Sequence, residues 1–142
     1  MIQLFSCKPY KKREVGMTLI ELLFSVAIIS ILAAIAYPSF TEHSLKAHRT
    51  AAKVDMARIQ LQLEESYDSG YDWSSIISSG NCTICDSDST RYLFSVTSSA
   101  SMAYTITATA QTDVGQTNDK CLPQNKTMTL DALGQTTPSD CW

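Results

Sequence analysis

The chain has 142 residues, a length that suits one domain plus a membrane segment. Its formal net charge is −3. Setting aside the four cations and one acid of residues 1–16 leaves seven cations against thirteen acids, a net of −6. Composition of this kind argues against broad, non-specific nucleic-acid binding, which needs a cationic surface, and leaves room only for a local basic patch.

Residues 1–16 are short and basic, with Lys8, Lys11, Lys12 and Arg13. Residues 17–37 are then almost wholly apolar, with one acid, Glu21, near the start. As a helix this run covers roughly 31 Å, about the thickness of a bilayer's hydrocarbon core. A cleaved secretory signal has a shorter apolar core and a small-residue exit site, whereas this run is about twice that length and ends at Tyr37-Pro38. An ordinary single-pass anchor accounts for the length and for a basic flank that stays cytoplasmic. It does not account for Glu21. A carboxylate at helix centre costs about 2.5–3.5 kcal/mol on insertion scales, less near an end, so such a group calls for a partner. A cut after Gly16 supplies one. Met17 then carries an ammonium, and it pairs with Glu21 at i and i+4 or between neighbouring chains. An acid in a helix's first turn is also favoured by the helix dipole.

The sequence Lys-Lys-Arg-Glu-Val-Gly16, then Met17-Thr-Leu-Ile-Glu21, then an apolar helix with Ala34-Ile-Ala-Tyr37-Pro38-Ser39, resembles a type IV pilin precursor. The resemblance implies a prepilin peptidase that cuts after Gly16 and N-methylates Met17. It also implies a role for Glu21 in guiding assembly, and a helix bend (kink) at Pro38. Two features depart from the pattern: Met17 stands where Phe is usual, and the leader is longer than usual and holds Cys7.

Apolar periodicity continues beyond the membrane run. Leu45, His48, Ala52, Met56, Ile59, Leu63 and Tyr67 recur at steps of three or four, while Lys46, Arg49, Lys53, Arg58, Gln62 and Glu65 decorate the other sides. One long helix is therefore expected from about residue 17 to about 67, bent at Pro38 and ended by Asp68-Ser-Gly70. Three segments follow: a leader at 1–16, a membrane and fibre-core half-helix at 17–44, and a globular head at 45–142. Residues 68–90 read as a loop pinned by Trp73, Ile76 and Ile77, with one short helical turn. Residues 91–97 and 103–110 alternate as strands joined by Ser98-Ser-Ala-Ser101. Residues 127–130 form a third strand, and a fourth is expected after Gly134. An antiparallel sheet laid on the helix stripe gives an α+β class, the type IV pilin fold.

Of five cysteines, Cys82, Cys85, Cys121 and Cys141 lie beyond the membrane, an even number that suggests two disulfides in any of three pairings. Similar minor pilins end in a cysteine followed by tryptophan and close a C-terminal loop. That resemblance favours Cys121–Cys141, which leaves Cys82–Cys85. The Cys82-x-x-Cys85 spacing also fits a redox motif or half a zinc site, but its Ser/Asp-rich setting outside the membrane favours a structural bridge. His43 and His48 stand about 140° apart around a helix and cannot jointly grip one metal. Asp86 and Asp88, with the acids around residues 67–72, lack the glycine and closing glutamate of an EF-hand loop. No catalytic arrangement, phosphate loop, metal site or cofactor is read from the sequence.

Lys46, Arg49, Lys53 and Arg58 read as a solvated face or as contacts between subunits. Lys120 and Lys126 could join Arg91 in a small DNA-binding patch, an alternative against which the acidity of the head weighs, since counterion-release binding needs several clustered cations. The expected function is a minor pilin, a structural subunit of a type IV pilus (fimbrium), which is not an enzyme. The resemblance implies other pilins, the prepilin peptidase, the inner-membrane assembly machinery and the inner membrane as partners. It places the head in the periplasm before assembly and outside the cell afterwards. Twitching motility, adhesion or DNA uptake are the roles it implies. The alternatives are a DNA-binding competence pilin and a type II secretion pseudopilin.

Overall fold

The structure is a computed structural model that describes residues 16–99 and 102–142. The expected leader, with Cys7 and the basic flank, and Ala100-Ser101 of the expected strand link lie outside the described residues. The chain divides into two compact units, one ending at Tyr37 and the other spanning Pro38–Trp142. Helix α1 (Leu19–Glu65) contributes to both, within about two residues of the expected bounds.

In the first unit, Thr18 opens the helix. Its hydroxyl accepts the Glu21 main-chain N–H at 3.3 Å and its carbonyl accepts that of Leu22 at 3.2 Å, so one of the first turn's unpaired donors is satisfied. The side chains behind it stand exposed, Leu19 at 79% and Ile35 at 71%. This stretch has a mean hydropathy of 2.6 and the length and composition to cross a membrane. Its two serines do not interrupt that character. Ser25 donates to the Glu21 carbonyl and Ser30 to that of Val26, each at 2.8 Å, so neither hydroxyl would enter lipid unpaired.

In the second unit, Ala52, Met56, Ile59 and Leu63 of α1 are fully buried, while Tyr67, expected to extend the stripe, is exposed. They join one core with a four-stranded antiparallel sheet, in the order β3 (Tyr92–Ser99), β4 (Met102–Ala110), β5 (Thr127–Asp131), β6 (Thr136–Thr137). The period of two places Tyr92, Phe94 and Val96, then Tyr104, Ile106 and Ala108, then Met128 and Leu130 on the buried face. Register pairs Phe94 with Ala108 and Ala108 with Met128, so large and small side chains alternate across the sheet.

The expected loop at 68–90 holds a small hairpin, β1 (Ile77–Ser78) with β2 (Asn81–Cys82). Ser79 and Gly80 turn it with φ of 52° and 83°, the positive pair that a tight two-residue hairpin demands. The Gly80 carbonyl accepts the Phe94 N–H at 2.9 Å, tying the hairpin to β3. Cys82–Cys85 and Cys121–Cys141 are bridged.

Candidate nucleic-acid interface and assembly site

Asp55 shows how α1 positions the loops. It is 1% exposed. Its carboxylate accepts the main-chain N–H of Asp86 at 3.0 Å and of Ser87 at 2.8 Å. One turn on, Arg58 donates to the Ile84 carbonyl at 3.2 Å and pairs with Asp86 at 2.8 Å. Asp86 thus pairs with Arg58. The Asp86 hydrogen bond, then its charge, raises the Arg58 pKa.

The loop at residues 111–126, between β4 and β5, is strapped to α1 three times. Gln116, fully buried, donates to the Leu45 carbonyl at 3.1 Å and to the Tyr92 hydroxyl at 3.0 Å. Asp119 takes both its carboxylate oxygens to Arg49 Nη1 at 2.6 Å. Lys120 pairs with Glu42, which holds the lysine's pKa above its ordinary value, first through the hydrogen bond and then through charge.

Glu42, Lys46, Arg49 and Lys53 fall within about 60° of one another around α1, so they form one stripe. Lys53 lies 5.9 Å from the Trp142 ring centroid. Its pKa is lowered, chiefly by burial and then by Arg49 and Lys46. Arg91 and Lys126 flank the end of β4: Gln111 N–H donates to the Arg91 carbonyl and Ala110 N–H to that of Lys126, each at 2.9 Å. Among the described residues, Arg91 Nη1 donates to neutral acceptors, the Val114 carbonyl at 3.3 Å and Gln116 Oε1 at 3.5 Å. It lines an open groove of about 330 Å³ with Phe40, Thr41, Ser44 and Val114. A hollow of about 190 Å³, lined by Lys46, Arg49 and Lys120, shares Leu45 and Asn118 with that groove. His48 stands near Arg91 and Asp88, and its pKa is lowered by burial first and by Arg91 second.

Of the expected patch, Arg91 and Lys126 thus come to one end of the sheet, while Lys120 turns to the helix. The reading of Arg49 as a decorating cation is corrected: it is 8% exposed and ion-paired. Its spacing held the signal, since it precedes Ala52 by three residues and Met56 by seven. Among the described residues, no group of three or more His, Cys, Asp or Glu is placed to hold a metal ion.

At the assembly end, Gly16 and Met17 are exposed. Among the described residues, the Glu21 carboxylate makes no hydrogen bond or ion pair. Glu21 is the third residue of the helix after the Thr18 cap. The spacing Thr18-Leu-Ile-Glu21 is that of a capping box, a signal legible in the sequence beside the assembly motif.

A family model described as "Type IV minor pilin ComP, DNA uptake sequence receptor" matches residues 38–125, more than half of the chain. The chain belongs to this family. The prokaryotic N-terminal methylation motif matches residues 11–37. No solved structure matches the chain. As a type IV minor pilin the protein is a structural subunit, anchored in a membrane by its apolar helix and assembled with other pilins into a pilus.

Proposed function

We propose that this minor pilin is a receptor that binds duplex DNA for uptake at the pilus surface. The reading rests above all on the match over residues 38–125, which takes in the helix stripe, Arg91 and Lys120. The charge arrangement supports it. Lys46, Lys53, Arg91 and Lys126 make no ion pair among the described residues, so four cations are free to meet phosphates. The work is binding and assembly, without catalysis. Of the alternatives, the competence pilin is favoured over the secretion pseudopilin; twitching motility and adhesion have no separate feature here to support them.

Maturation follows the same family logic. The prepilin peptidase cuts after Gly16 and methylates Met17 at the inner membrane, with the head in the periplasm. Glu21 meets the terminal amine of a neighbouring pilin as the assembly machinery draws the subunit into the fibre. Pro38 bends α1 by removing one main-chain donor.

The test is a gel shift with residues 38–142 on specific and scrambled duplexes. Four phosphate contacts give a log–log salt slope of about −3.6, an affinity loss of about 150-fold between 50 and 200 mM salt. No shift at 50 mM salt would sink the receptor reading.

A further inference from the structure

The two ion pairs that strap the 111–126 loop differ in kind. Arg49–Asp119 is buried, with side chains 10% and 6% exposed. Lys120–Glu42 is open to water, at 84% and 60%. Exposed pairs add little to stability and exchange partners readily. Both border one hollow of about 190 Å³, lined by Lys46, Arg49 and Lys120 and by the two carboxylates that pair there, Glu42 and Asp119. Among the described residues, the buried Arg49 Nε has no hydrogen-bond partner. The hollow's charged lining is thus three cations against two carboxylates, and Lys46 has no ion pair among the described residues.

Resting on the receptor reading above, we infer that this hollow is a phosphodiester subsite for the DNA backbone. In the free protein the Glu42 carboxylate stands in for phosphate on Lys120. An arriving phosphate has the same charge sign and offers similar acceptor oxygens. It takes Lys120 from Glu42 and meets Lys46, one turn along the same stripe, while Arg49 stays with Asp119 and lends its charge from beneath. Glu42 is thus an internal competitor that sets the affinity of the subsite.

Counterion release makes the inference testable. A phosphate contact by Lys120 releases condensed cations from the DNA whether or not Glu42 is present. In the wild type that contact also requires breaking the Lys120–Glu42 pair, and in Glu42→Gln it does not. The full chain in non-ionic detergent is titrated with a fluorescent duplex from 50 to 200 mM salt, for wild type, Glu42→Gln, Lys120→Gln and the double variant. The expected result is three- to tenfold tighter binding by Glu42→Gln at 50 mM salt with the wild-type log–log slope, a slope shallower by about 0.9 for Lys120→Gln, and no gain from Glu42→Gln in the double variant. If wild type binds and Glu42→Gln matches it, the subsite is overturned and the receptor reading stands. A gain that survives Lys120→Gln also overturns it, because Glu42 would then act only as a repelling surface charge, and so does a wild-type slope in Lys120→Gln, because Lys120 would then meet no phosphate. No binding by any variant overturns the receptor reading and the subsite together.

Discussion

Asp119→Ala tests whether the head depends on the buried Arg49–Asp119 ion pair. Arg49 sits at 8% exposure, and its charge is answered by both oxygens of Asp119 at 2.6 Å. Truncating Asp119 leaves a guanidinium in place with no anion, and it also removes the acceptor of the Cys121 N–H at 3.0 Å. Breaking one side of a buried pair costs about 3–5 kcal/mol, mostly because the remaining charge stays desolvated. For a domain of this size that is a fall in Tm of roughly 15–30 °C. Urea unfolding of residues 38–142, disulfides intact, reads the loss directly. Replacing both partners, Arg49→Met with Asp119→Leu, should recover most of it, since no charge then lies buried. A loss below about 1 kcal/mol for Asp119→Ala would refute the reasoning, because the pair would then behave as a surface one.

Three further perturbations follow. Asp55→Ala removes the acceptor of two main-chain donors at residues 86 and 87. It should cost about 2–4 kcal/mol and speed amide exchange at those residues more than in β4; uniform exchange would contradict the anchoring role. Glu21→Ala should leave cleavage after Gly16 intact and lower the amount of subunit in sheared fibres, and equal amounts would remove Glu21 from assembly. The Tyr92 and Tyr104 pKa values are pushed up to about 12, chiefly by burial. The unfolded chain loses those protons near pH 10 while the folded chain keeps them. Stability is therefore full below pH 10 and falls by about 1.4 kcal/mol per pH unit per tyrosine up to pH 12. Flat stability between pH 9 and 12 would refute it.

What sequence made legible was what periodicity encodes. Ala52, Met56, Ile59 and Leu63 recur at helical steps, and Tyr92, Phe94 and Val96 alternate, so helix and strands announce which face each buries. The hairpin at Ile77–Cys82 stayed hidden because two-residue strands are too short to show a period. The Lys120–Glu42 pair stayed hidden for another reason. The residues lie 78 apart in sequence, and nothing local in either segment names its partner. Arg49–Asp119 was half legible, since the arginine's place on the buried face follows from spacing but its anion does not.

Net charge leaves room for a local basic patch, because it averages over distances longer than those at which charges act. At 0.15 M ionic strength the Debye length is about 8 Å. From Lys53 to Glu64 along α1 is roughly 16 Å, two such lengths. On the receptor reading, DNA at the Lys46–Lys53 stripe is therefore largely screened from Glu64 and Glu65 at the far end of α1. That screening fails at 10 mM salt, where the Debye length is about 30 Å and the acidic end comes within reach. Affinity should climb as salt falls to about 50 mM and then flatten or turn over by 10 mM. A log–log plot that stays linear to 10 mM would show that the acids lie too far from the bound duplex to be felt, and the interface would have to be moved away from the helix stripe.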